Sequence, residues 1–168
     1  EILYDSLNDT LKQLVRTAFV AGEEKDFYVS DFSAIEARVI AWYAKENWRL
    51  EVFATHGKIY EASASQMFHI PIENVDKNLR QKGKVAELAL GYQGGPGALK
   101  QMGALEMGVP EEELPELVEN WRRANPNIVQ FWKDVQRATI KALKTRSTIK
   151  LGKLKFKRSR GFLFIQLP

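Results

Sequence analysis

Two short stretches hold residues able to do more than fold. In YVSDFSAIEARVIAW, residues 28–42, Asp31 stands between an apolar run and a helical pattern, and Glu36 follows five positions later. Ser33-Ala34-Ile35-Glu36 fits a capping box, in which the Ser oxygen and the Glu carboxylate each take a free backbone N–H at a helix start. The box accounts for Ser33 and Glu36. It leaves out Asp31, two residues before the cap at the end of a strand-like run, where a buried carboxylate needs a cation or hydrogen-bond donors. Asp31 is therefore the better metal-ligand candidate, for a hard cation that shares its oxygens with substrate phosphates. The second stretch is NLRQKGKVAELALGYQGG, in which Arg80, Lys84, Leu88 and Tyr92 recur every four residues and line one side of a helix. A forked guanidinium and a point-charge ammonium one turn apart suit a polyphosphate. The alternative is a merely solvated helix start, but cations there oppose the helix dipole. Tyr92 lies beside Gly91, Gly94 and Gly95, either as a buried ring at a helix end or as a platform on which a base stacks.

The elements that must position these residues follow from periodicity. Residues 6–19 place Leu7, Leu11, Leu14, Val15 and Ala18 at helical spacing, with Asp5 or Ser6 to cap. FYVSDF, residues 27–32, reads as a short strand. Residues 33–43 and 57–67 read as helices, and 70–75, with Pro71, as a connector. Residues 79–92 form a helix stopped by GGPG, with Val85, Ala86, Ala89 and Leu90 as its core side; 111–124 and 127–145 are further helices. The period changes only at the end. Residues 150–157 alternate basic with apolar, KRSRG offers a turn, and GFLFIQLP reads as the returning strand, so that Lys153, Lys155 and Lys157 share one face. The fold class is α+β and mostly helical.

Composition bounds the remaining possibilities. A chain of 168 residues, 45% hydrophobic and 27% charged, is of single-domain size and able to bury a core. There is no Cys, which excludes disulfides and thiolate metal sites, and two His are too few for a His-rich zinc site. No apolar run is long enough to span a bilayer and the first residues do not resemble a signal peptide, so a soluble intracellular protein with no membrane partner is expected. The net charge of +4 is unevenly spread: in residues 133–160 eleven Lys and Arg stand against one acid, Asp134, whereas residues 1–132 hold fourteen bases and twenty acids. Such a run is a solvated face or the footprint of a phosphate backbone. The chain begins without Met and stops on Pro168 after an apolar strand, as a piece of a longer protein would. An unpaired terminal strand would let it self-associate.

DFSAIEARV resembles motif A of the family A DNA polymerases, the polymerase I type, usually written DYSQIELRV. RQKGKVAELALGYQGG resembles their motif B, the fingers helix with Arg, three residues, Lys, seven residues, Tyr. Between them, GKIYEASASQMF resembles the stretch usually written DIHxxTAxxxF. The three matches stand in order across residues 31–95. The resemblance implies a partial palm with motif A in residues 1–45, helical fingers in 46–145 with motif B at 80–95, and a β-hairpin in 146–168 returning towards the palm. It implies template-directed DNA synthesis from dNTP on a primer-template, with two Mg2+ ions, in the cytoplasm of a bacterial or phage-infected cell.

By the same resemblance Asp31 would ligate both ions, and the carbonyl of Phe32 would ligate the one that holds the triphosphate. Glu36 would sit beneath the sugar as the gate against a ribose hydroxyl. Arg80 and Lys84 would hold the triphosphate, with Lys84 also protonating the leaving pyrophosphate. Tyr60 stands where the family has a nucleotide-contacting His, and Leu88 where it has Phe or Tyr against the sugar. Lys58 replaces an Asp and Ala34 a Gln, a combination reminiscent of shorter phage and prophage members. Tyr92 would stack near the templating base and, with Glu36, close the floor of the nucleotide pocket, and Gly94 would meet the DNA. Apart from the resemblance, the charge and alternation of Lys153, Lys155 and Lys157 lead us to expect them on the template or primer backbone. No His-Asp-Glu motif C is present, so the chain by itself is expected to be inactive. The rival expectation is a noncatalytic nucleic-acid-binding or helical interaction module built on the basic run.

Overall fold

The computed structural model describes residues 10–11 and 14–168. Its chain contacts divide into two units, Glu1–Ser33 and Ala34–Pro168. In the first, residues 6–9, 12 and 13 of the helix expected over residues 6–19 lie outside the described residues; residues 10, 11 and 14 are helical and Val15–Ala18 form a 3-10 turn, with Thr17 Oγ1 donating to the Leu14 carbonyl at 2.7 Å. The strand expected at residues 27–32 is not one. A strand exists only through its ladder, and no described segment pairs with this run.

The second unit is a helical body carrying a small sheet. Its helices are α1 (Ile35–Ala44), α2 (Asn47–Thr55), α3 (Ile59–Phe68), α4 (Lys77–Leu90), α5 (Pro96–Gln101), α6 (Leu114–Ala124) and α7 (Pro126–Thr145). The strands β1 (Ile149–Leu151), β2 (Leu154–Ser159) and β3 (Phe162–Gln166) follow as an antiparallel meander in the order β1-β2-β3. The terminal hairpin is thus three strands. Gly152, in the left-handed region at φ 55°, turns the alternating run back on itself where continuous strand was expected. α5 was also unexpected: Pro96, read as a stop, occupies the first turn of a new helix, where its missing N–H costs nothing.

α4 owes its position to both of its sides. Asp76 caps it, its carboxylate accepting from the Leu79 N–H at 2.8 Å, and Val85, Ala86, Ala89 and Leu90 are buried as their spacing demands. They meet Met67 of α3, Leu99 of α5, Leu114, Leu117, Val118 and Trp121 of α6, and Ile128 of α7 in the main core. A smaller core under the sheet joins Ala138 and Ala142 of α7 to Leu154 and Phe156 of β2. Arg158 ties β2 to the end of α7 by donating to the Leu143 carbonyl at 3.2 Å.

α3 comes unusually close to α4 because small residues line the seam. A Cβ at Gly83 would stand 2.2 Å from the Tyr60 carbonyl oxygen and 3.2 Å from Ala64 Cβ. Gly83→Ala therefore has to push the helices apart and is expected to cost about 1–3 kcal/mol, read as a lowered urea midpoint. An unchanged midpoint would show that the seam yields freely.

Candidate functional site

The line along α4 is present and faces outward. Arg80 is exposed, Lys84 half-buried, and Leu88 and Tyr92, at 41% and 73% exposure, lie in the open. The α4 cations have different surroundings. Lys82 is bound to Glu113 at 2.7 Å, away from the line, and Arg80 donates through Nε to Glu61 of α3 at 2.8 Å while its guanidinium lies over the Tyr60 ring at 5.6 Å. Among the described residues Lys84 makes no ion pair.

Partial burial works to raise the Glu61 pKa, but the hydrogen bond and charge of Arg80, a backbone hydrogen bond and Lys58 outweigh it and hold the carboxyl below its ordinary range. A lowered folded-state pKa means that this pair adds its small stabilisation above the usual carboxylate range and loses it as pH falls through the folded-state value.

Beyond the C-terminal end of α4, Tyr92 shares a cleft with Glu36. The cleft has a volume of about 310 Å³ and is mainly apolar, walled by Ile35, Val39, Ile40 and Tyr43 of α1 and by Gly91. Thus Glu36 and Tyr92 meet at one mouth, while Tyr60 and Arg80 meet nearer the start of α4. About 6 Å of helix rise separates each step from Arg80 through Lys84 to Leu88, which suits an elongated, highly charged ligand rather than a compact one. The N-cap of α1 is Ala34 and not Ser33: Ala34 stands in the left-handed conformation, φ 50°, and Glu36 sits in the first turn.

Other expected positions divide between structural and outward-facing roles. A side chain on Gly94 would meet Ala89 O at 2.2 Å and Ala98 Cβ at 2.8 Å, so its own chain explains this glycine, whereas Gly95 has open space. Lys153 does not share a strand face with Lys155 and Lys157. It lies in the Gly152 turn, its ammonium 4.2 Å from the centre of the Trp42 ring, because β2 begins only at Leu154. Lys155 and Lys157 point away from the core on β2, alternating with buried Leu154 and Phe156.

Asp31 and Phe32 belong to the first unit and are exposed. Among the described residues no group of three or more His, Asp or Glu is placed to hold a metal ion. The Asp31 carboxylate and the Phe32 carbonyl are hard oxygen donors, the set that suits magnesium shared with substrate phosphates and not a closed protein cage.

Periodicity missed the network behind α4. Arg49 of α2, 1% exposed, donates from Nη1 to Glu87 Oε1 at 2.9 Å and to Asn125 Oδ1 at 3.0 Å, and from Nη2 to the second Glu87 oxygen. Glu87 Oε1 also accepts from Ser63 Oγ at 2.8 Å and Trp121 Nε1 at 2.9 Å. Three helices, α2, α3 and α6, are thereby fastened to Glu87 of α4, the residue just before Leu88. The available signal was Glu87 itself, an acid among the core residues of α4.

Residues 6–158 match the sequence model of DNA polymerase family A. This chain belongs to DNA polymerase family A. Among family A relatives, it is 66% identical to the DNA polymerase of Bacillus phage SP02 over 171 residues, which cover 100% of this chain and 26% of that protein. It is 30% identical to the thermostable DNA polymerase I of Thermus aquaticus over 118 residues, 70% of this chain and 14% of that protein. Against the DNA polymerase I of Geobacillus stearothermophilus the identity is 28% over 122 residues, 72% of this chain and 14% of the relative. The chain therefore spans a small part of the family A proteins that it matches. Among the described residues no helix is long and apolar enough to cross a membrane.

Proposed function

We propose that this chain forms the nucleotide-binding side of the active centre of a template-directed DNA polymerase, which transfers a nucleotidyl group from dNTP to a primer 3′-hydroxyl. The observation that carries this reading is the outward line of Arg80, Lys84, Leu88 and Tyr92 on a helix whose opposite side is buried. Arg80 and Lys84 bind and neutralise the triphosphate, and Lys84 gives a proton to the departing pyrophosphate oxygen. Leu88 offers an apolar contact to the sugar, and Glu36, beside Tyr92 at the cleft, excludes a 2′-hydroxyl. Tyr92 stacks by the templating base.

Asp31 and the Phe32 carbonyl are the residues that would hold magnesium. Bound there, the ion would supply charge neutralisation at the reacting phosphate. Residues 1–45 act as palm and 46–145 as fingers. On the outer face of the sheet, Lys155 and Lys157 lie towards the DNA backbone. Lys153, seated on Trp42, is a less available contact. The chain alone holds one carboxylate of the metal site and does not polymerise; the complete enzyme works in the cytoplasm.

The experiment is nucleotide titration of primer extension by the complete polymerase carrying Arg80→Ala. Loss of a charge-assisted contact of about 1.5–3 kcal/mol raises the dNTP KM by roughly 10- to 100-fold. A KM equal to wild type would remove Arg80 from the triphosphate.

A further inference from the structure

Arg80 is held in an informative way. Glu61 takes its Nε at 2.8 Å, and among the described residues neither terminal nitrogen of the guanidinium has a hydrogen-bond partner. A carboxylate that competed for the fork would take those terminal nitrogens as a bidentate pair, the stronger arrangement for Arg and the one a phosphate also prefers. Glu61 instead grips the root of the guanidinium and leaves the fork open. The Tyr60 ring lies under the same group at 5.6 Å, so the guanidinium is fixed from its edge and from one face by consecutive residues of α3.

The platform beneath them is rigid. The Tyr60 carbonyl abuts Gly83 so closely that no Cβ fits between them, which sets the spacing of α3 and α4 one turn from Arg80. A solvent-exposed Arg loses rotamer freedom when it captures a phosphate, and a residue that has already ordered it removes that cost from binding.

We propose that Glu61 is a positioning residue, which orders the Arg80 guanidinium through Nε and aims its two terminal nitrogens at the triphosphate of the incoming nucleotide. The proposal rests on the assignment of Arg80 to the triphosphate and adds a residue of α3 to nucleotide selection. Glu61 touches no reacting atom, so its effect belongs in ground-state binding.

The test is steady-state incorporation by the complete polymerase with Glu61→Ala, Glu61→Gln, Arg80→Ala and the double variant Glu61→Ala/Arg80→Ala. Glu61→Ala is expected to raise the dNTP KM about 2- to 10-fold, the worth of one pre-ordered side chain, with kcat unchanged within about two-fold. Glu61→Gln keeps an acceptor oxygen for Nε and restores most of the KM. In the Arg80→Ala background the Glu61→Ala effect disappears, as it must if Glu61 acts only through Arg80. A general weakening of the fold would persist in that background, and persistence overturns the proposal.

An unchanged or lowered KM in Glu61→Ala overturns it too, the lowered value marking Glu61 as a competitor of the triphosphate. If Arg80→Ala itself leaves KM unchanged, the assignment of Arg80 falls first and this proposal falls with it. If Arg80→Ala raises KM and Glu61→Ala does not, only the positioning role is lost.

Discussion

Asp31→Asn is expected to reduce nucleotide incorporation by the complete polymerase roughly 1,000-fold, with the loss in kcat. The substitution keeps size and hydrogen-bonding capacity but removes the anionic oxygen that a hard cation requires. Charge stabilisation of the reacting phosphate by such an ion is worth several kcal/mol, and about 4 kcal/mol corresponds to that factor. Because Asp31 is exposed, the replacement should shift stability by no more than about 0.5 kcal/mol. Loss of activity is then separable from loss of fold. An incorporation rate within ten-fold of wild type would take Asp31 out of the metal role.

Arg49→Ala has the largest expected effect on stability. It leaves the Glu87 carboxylate buried at the junction of α2, α3, α4 and α6 with its charge uncompensated, although Ser63 and Trp121 still donate to it. Breaking a buried pair from one side costs about 3–5 kcal/mol, a large share of what a domain of this size possesses. Arg49 Nε, buried without a partner, shows that the site is not fully satisfied even in the native fold. Replacing the pair together with apolar residues of similar volume should therefore recover much of the loss. Urea unfolding of the single and paired variants separates the two cases: a single variant that unfolds at the wild-type midpoint would show that the network contributes nothing.

The legible parts of this molecule were those whose cause is local. α4 was readable because its apolar residues recur at helical spacing, and their burial leaves Arg80, Lys84, Leu88 and Tyr92 on the other side by geometry alone. α6 and α7 were readable for the same reason, and Lys155 and Lys157 because strand alternation forces them away from Leu154 and Phe156. The family resemblance added the order of the motifs. α2 was missed because its buried residue is Arg49, whose interior place depends on Glu87, 38 positions later in the chain. Residues 27–32 have the composition of a strand, yet composition cannot supply a neighbouring strand. The cap position expected at Ser33 falls on Ala34, and the shared face of Lys153 is broken by the turn at Gly152; both rest on single backbone angles that no periodicity encodes.

The most direct measurement is a dNTP titration of primer extension by the complete polymerase, comparing wild type, Asp31→Asn and Arg80→Ala at fixed magnesium. The predicted result is a contrast: Asp31→Asn lowers kcat roughly 1,000-fold at saturating nucleotide, whereas Arg80→Ala acts chiefly by raising KM roughly 10- to 100-fold. Wild-type kcat in Asp31→Asn together with wild-type KM in Arg80→Ala would contradict the assignment of this chain to the nucleotide-binding side of the active centre.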